Sequence, residues 1–245
     1  MPTAPVADQQ RLLDVQDADL RIQQARHKRD HLPVHAQLAE LSARDTVLDD
    51  EAIARGAEVT DLRREVTKAE DDVQAVRGRA DRDRARLESG SSNAKDLQAL
   101  QGELELLGRR QSDLEDVELE AMERLEVAEE AHSRVKAERE DLTKRVRELE
   151  HERNVAVRAL DAEIAEAEAE RAAAAEGLDP ALVTLYERVR AHNGGIGAAV
   201  LTGTTCGGCH MSLNPSDIKV IERAAPDQVV RCEECGTILV RKAAQ

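Results

Sequence analysis

Four cysteines carry the clearest chemistry in this 245-residue chain, and they are its only cysteines. They stand as Cys206-Gly-Gly-Cys209 and Cys232-Glu-Glu-Cys235. Two residues between paired cysteines let one tight turn present both sulfurs to one metal, and four thiolates close a tetrahedron around Zn²⁺. Cys206, Cys209, Cys232 and Cys235 are therefore the candidate ligands of one structural zinc. A dithiol oxidoreductase would use one such pair and leave the second unexplained. Disulfides need an oxidising compartment, and a catalytic zinc keeps an open coordination position. His210 follows a ligand directly and is a competing donor, though four sulfurs already fill the shell.

The elements that would hold these turns are short. Val229 and Val230 lead into the second pair and Ile238 to Val240 leave it, which predicts a hairpin carrying Cys232 and Cys235. Val200 and Leu201 lead into the first pair. Gly207, Gly208 and Gly236 stand where the turns require positive φ or close backbone approach. Between the pairs, Asn214 is placed to cap a short helix with Pro215 at its first position, Ile218 and Ile221 on its inner face, and Ala224-Ala-Pro226 at its end. Before them, Asp179 and Pro180 open a connector helix through Leu182, Leu185, Tyr186 and Val189, ended by Asn193-Gly-Gly195. Tyr186 is expected to pack against the ribbon or the helical arms.

Composition separates this end from the rest. The chain is 35% charged, carries a formal net charge of −15, and has no Trp, no Phe and one Tyr. Most of it is thus not an ordinary globular core. Residues 178–245 hold seven acids and seven bases, so the whole excess of negative charge precedes them. An acidic chain is repelled by phosphate, which argues against purely electrostatic nucleic-acid binding. No signal peptide or membrane-spanning run is recognisable, so a cytoplasmic protein with no membrane partner is expected.

From about Asp8 to Glu88 a 3-4 repeat emerges: Leu38, Leu41, Asp45, Leu48, Ala52, Arg55, Val59, Leu62, Val66, Ala69, Val73, Val76 and Ala80. Eleven of these thirteen are apolar, and a 3.5-residue period sustained this long marks a coiled-coil seam. Pro33 should bend or break the first arm near His31 and Leu32. After Ser89-Gly-Ser-Ser-Asn93, with Ser92 or Asn93 as cap, the repeat resumes at Leu97 and runs through Leu100, Leu114, Ala128, Val135 and Leu149 to Leu160. Asp8–Glu88 and Lys95–Ala175 are each 81 residues. Equal arms predict an antiparallel hairpin, each arm roughly 120 Å long at the α-helical rise. Polar residues interrupt the seam at Asp45, Arg55, Gln111, Glu118, His132, Arg139 and Arg153, and a turn near residue 91 brings Asp45 opposite Arg139 as an ion pair.

The expected architecture is mainly α: a long antiparallel coiled-coil helical hairpin over 1–177, turning near 89–94, and a connector helix with a four-cysteine zinc ribbon over 178–245. This combination resembles the bacterial family that joins a long N-terminal helical hairpin to a C-terminal four-cysteine ribbon. The resemblance rests on Asn93-Ala-Lys-Asp-Leu-Gln-Ala-Leu-Gln-Gly-Glu103, on Leu178-Asp-Pro-Ala-Leu-Val-Thr-Leu-Tyr-Glu187, and on the ribbon stretches Cys206–Leu213 and Cys232–Leu239. Thr237 stands where the family usually has arginine. The resemblance implies a non-enzymatic adaptor; some members are implicated in flagellar or secretion-apparatus assembly, binding an export-ATPase regulator, the alternative nitrogen sigma factor or a flagellin message.

Two functional readings follow. In the first, the chain is a zinc-binding adaptor whose partners are one or more proteins. In the second, it binds RNA or DNA through the ribbon's Arg231, Arg241 and Lys242 and through Arg77, Arg79, Arg82, Arg84 and Arg86 near the turn. No nucleophile, base and orienting group form a recognisable constellation, so neither an enzyme nor a small-molecule substrate is expected.

Overall fold

The computed structural model describes residues 2–89 and 94–241. Its elements are α1 (Val6–Asp30), α2 (Pro33–Glu88), α3 (Ala94–Ala175), α4 (Pro180–His192), β1 (Ala198–Thr202), β2 (Thr205–Cys206), α5 (Pro215–Arg223), β3 (Val230–Arg231) and β4 (Ile238–Val240). The caps expected of Ser92 and Asn93 fall outside the described residues, as does Lys242. The chain forms two compact units: residues 36–149, and residues 1–35 together with 150–245.

In the unit of residues 36–149, α2 and α3 lie antiparallel, shown by ion pairs whose partners run in opposite directions along the sequence: Arg44 with Glu138 (2.6 Å), Arg63 with Glu129 (2.6 Å) and Glu65 with Arg124 (3.0 Å). All thirteen seam positions from Leu38 to Ala80 are buried or half-buried, and Val59, Leu62 and Ala128 share one apolar cluster. Arg139 Nε meets Asp45 Oδ1 at 3.0 Å, and the same guanidinium also bonds Asp49. The expected cross-hairpin pair is therefore a three-residue group.

In the other unit, the Pro33 break appears as anticipated, with α1 ending at Asp30 and α2 starting at Pro33. Proline lacks the N–H that would bond the carbonyl four residues back. The His35 ring fills that role, with Nε2 3.1 Å from Arg29 O. Ile22 and Ala25 of α1 pack on Ile164 and Ala167 of α3, flanked by pairs such as Arg26 with Glu168 (2.7 Å) and Arg29 with Asp161 (3.0 Å).

The small sheet has strand order β2-β1-β4-β3. Strands β3 and β4 form the expected antiparallel hairpin, and β1 joins β4 in parallel. One core unites α1, α4 and the sheet through Leu12, Val15, Leu182, Tyr186, Ala198, Ile238 and Val240. The N-terminal segment is fastened to the stretch that leads into β3: Ala4 N donates to Asp227 O (2.8 Å) and Val229 N to Pro2 O (3.0 Å). The compact body around the ribbon thus combines described residues before position 36 with others after position 149, grouped in space rather than along the sequence.

Buried polar groups set this packing. Gln16, 6% exposed, accepts from Gly197 N (2.6 Å) and Ala198 N (3.2 Å) and donates to Gly195 O (2.9 Å). It thereby satisfies the backbone at the point where α4 gives way to β1. The Tyr186 hydroxyl donates to Asp19 (2.8 Å), whose other oxygen receives Arg171 (2.8 Å) and Arg190 (3.1 Å). A buried carboxylate is tolerated because two guanidinium groups and a hydroxyl surround it.

Candidate metal centre

The two cysteine turns are built alike. In each, the amide of the residue following the second cysteine donates to the carbonyl of the first: His210 N to Cys206 O (2.9 Å) and Gly236 N to Cys232 O (2.8 Å). Such a return bond needs a left-handed residue at that place. Gly236 has φ 72°, while His210 adopts φ 59° as the one non-glycine described with positive φ. His210 is thus an exposed turn residue outside the metal-ligand cluster. Gly207 is required for a different reason: a Cβ there would lie 2.7 Å from Val200 O.

The second apolar cluster of this unit surrounds the sulfurs, with Leu213, Ile221, Val230 and Leu239 packed on Cys206 and Cys232. Ile221 is buried and Ile218 packs on the same cluster, as the helix α5 pattern anticipates. Asn214 does precede α5, but its side chain makes no capping bond. Its backbone carbonyl receives Asp217 N (3.0 Å) and Ile218 N (3.1 Å), the ordinary first bonds of a helix. Asp179 does cap α4, accepting from Ala181 N (2.7 Å) and Leu182 N (3.2 Å).

The four sulfurs lie within 4.8 Å of one another. Cys206 Sγ is 3.9 Å from Cys235 Sγ, and Cys209 Sγ is 3.9 Å from Cys232 Sγ. A tetrahedron of thiolates at the usual Zn–S length of about 2.3 Å has edges of about 3.8 Å. The spacing therefore fits a Cys₄ zinc shell, and it is about twice a disulfide bond. All four cysteines are free thiols.

Without a metal the sulfurs hold their protons unequally. Burial pushes the Cys206 thiol up and Cys232 up to about 12. Burial also acts on Cys235, but hydrogen bonds from the Thr237 hydroxyl and amide outweigh it and bring the thiol down to about 7. Cys206, Cys209, Cys232 and Cys235 would hold a zinc ion as thiolates, and the ion would supply the positive charge that lets four neighbouring thiolates lie together.

Two further residues complete the site and were not legible as such. Thr237, 1% exposed, places Oγ1 3.1 Å from Cys235 Sγ. Asn193, read only as the end of α4, donates to Cys235 O (2.7 Å) and to Thr237 Oγ1 (3.2 Å). Together they tie the connector helix to the second cysteine turn, in the manner of outer partners that orient metal ligands.

The description "CT398-like coiled coil hairpin domain" matches residues 15–194, and "C4-type zinc ribbon domain" matches residues 205–239. The chain belongs to the CT398-like coiled-coil hairpin family. A curated Mycobacterium tuberculosis protein described as uncharacterized is 39% identical over 97% of both chains. A solved structure from Mycobacterium smegmatis is 36% identical, covers 98% of this chain and all of its own, and superposes with a TM-score of 0.85. The fold is also shared with CT398 from Chlamydia trachomatis, at 19% identity and a TM-score of 0.66 over 96% of this chain and 98% of that one. Among the described residues, no helix is long and apolar enough to cross a membrane.

Proposed function

We propose that this chain is a non-enzymatic adaptor of the cytoplasm, holding one structural zinc through Cys206, Cys209, Cys232 and Cys235 and binding one or more proteins through its ribbon and its coiled coil. Four thiolates leave no open position on the metal, which suits a structural rather than a catalytic ion. Free thiols of this kind persist in a reducing compartment.

The observation that carries the protein-binding reading lies on the ribbon. A groove of about 480 Å³ runs between α5 and β3, floored by Leu213, Ile221 and Val230 and rimmed by Asp217 and Glu233. Val220, 64% exposed, stands on its lip. Apolar side chains beside a concave floor form an anchor pocket for a partner side chain.

The nucleic-acid reading draws on the arginines. Of the run near the hairpin turn, Arg77 and Arg79 pair with Glu115 and Glu103 across the coil, and Arg84 pairs with Asp81. On the ribbon, Arg241 donates to five backbone carbonyls between Ile221 and Gln228, and Arg231 donates to Gly236 O. Guanidinium groups engaged in this way are poorly placed to neutralise phosphates.

The deciding comparison uses purified full-length protein against mixed RNA and duplex DNA across a salt series, beside nuclease-treated capture of protein partners. Under the adaptor reading, Val220→Glu abolishes a nuclease-resistant, stoichiometric protein complex. Submicromolar nucleic-acid binding at physiological salt, lost on replacing Arg82, Arg84 and Arg86, would overturn it.

A further inference from the structure

Three of the seven histidines, His27, His31 and His35, fall within nine residues at the Pro33 break. They lie in the same compact unit as the ribbon. His31 N still donates to His27 O at 3.1 Å, so the helical turn persists through His31 and places the two side chains at i and i+4 on one face. Their ring centroids are 4.1 Å apart. Both residues are exposed to solvent.

The tautomer of His31 is set by its surroundings. Its Nδ1 lies 2.9 Å from His27 O, and a carbonyl only accepts, so Nδ1 carries the proton in the neutral ring and Nε2 presents its lone pair. An imidazole held by a backbone carbonyl through one nitrogen, with the other nitrogen free, is the arrangement that metal-ligating histidines adopt. We propose that His27 and His31 form a second metal site, a two-imidazole chelate for a borderline divalent transition ion such as Ni²⁺ or Zn²⁺, which braces the end of α1 at the Pro33 break.

Imidazole pairs at i and i+4 on a helix are a recurring metal-binding unit, and imidazole suits these ions better than the hard oxygen-loving cations. The electrostatics also fit. The site lies at the carboxyl end of α1, where the helix dipole favours positive charge. The neighbouring Arg29 cation is already met by Asp30 (3.2 Å) and Asp161 (3.0 Å). Among the described residues the cysteines alone bring three or more donors within 4.8 Å. The histidine pair therefore supplies two ligands, and water fills the remaining positions. It binds more weakly than the ribbon.

The test uses full-length protein carrying one equivalent of zinc, titrated with Ni²⁺ chloride by calorimetry while the histidine ring signals are followed by NMR. One further equivalent should bind, with paramagnetic perturbation centred on His27 and His31 and the zinc content unchanged. His27→Gln or His31→Gln should each weaken that event at least about tenfold, the scale on which even an outer partner of a metal ligand matters. His192→Gln should leave it unchanged. Equal Ni²⁺ affinity in the His27→Gln/His31→Gln double variant, perturbation centred on His210 or the cysteines, or no second equivalent would overturn the proposal.

Discussion

Tyr186 is the only tyrosine in a chain without Phe or Trp, and it is fully buried. Burial raises its phenol far above the ordinary value of 10.0, and the hydrogen bond it donates to the Asp19 carboxylate raises it further. The sign of the linkage follows: stability from the neutral phenol is fully present below the unfolded-state value near 10 and is lost as pH rises above it. Alkaline titration should therefore show no tyrosinate absorbance until the fold opens, with absorbance and loss of structure rising together. Tyrosinate formation near pH 10 in folded protein would contradict this. Tyr186→Phe should cost about 1–2 kcal/mol, because Asp19 loses one of its three donors. His210 offers the opposite effect. A non-glycine residue in the left-handed region costs about 1–2 kcal/mol, so His210→Gly should leave zinc binding intact and raise ribbon stability by up to about 1 kcal/mol, read from thermal melts of the zinc-loaded protein.

At the scale of elements, the spacing of two cysteine pairs was enough to anticipate both turns, since two intervening residues admit few chain paths around one metal. The 3-4 repeat was equally readable: its polar members Asp45 and Arg139 do meet, half-exposed at 40% and 37% of their side chains. Asp45→Arg should lower the melting temperature and Arg139→Asp should restore part of it. The effect should stay below about 1 kcal/mol for so exposed a group, and failure of the second change to recover any stability would reject the pairing. What the pattern did not disclose are contacts between distant parts of the chain. Gln16 reads as an ordinary polar helix residue, yet its partners lie around residue 197, some 180 positions away. Gln16→Ala should cost about 1–3 kcal/mol by leaving two buried amides unsatisfied, checked by denaturant midpoint. The side-chain cap expected of Asn214 does not form, although Asp179 caps α4 from the same place before a proline, so the residue pattern at a helix start does not by itself decide the cap.

At the scale of the whole chain, the ribbon rests on two separate apolar clusters, and this refines what the zinc does. One cluster joins Ala198, Ile238 and Val240 to α1 and α4 and contains no cysteine. The other is built around the cysteines with Leu213, Ile221, Val230 and Leu239. A small sulfur-centred cluster has too little apolar area to fold alone, so metal binding supplies its folding free energy. The ends of β1 and β4 on the first cluster have independent support. The most direct test is chelation of the full-length protein, with metal content, helical circular dichroism and amide hydrogen exchange measured together. One zinc per chain should be removed, protection should be lost from about Gly203 to Thr237, and the helical signal should remain nearly unchanged. Metal content well below one per chain in gently purified protein, or protection of the Cys206–Cys235 stretch that survives chelation, would contradict the account.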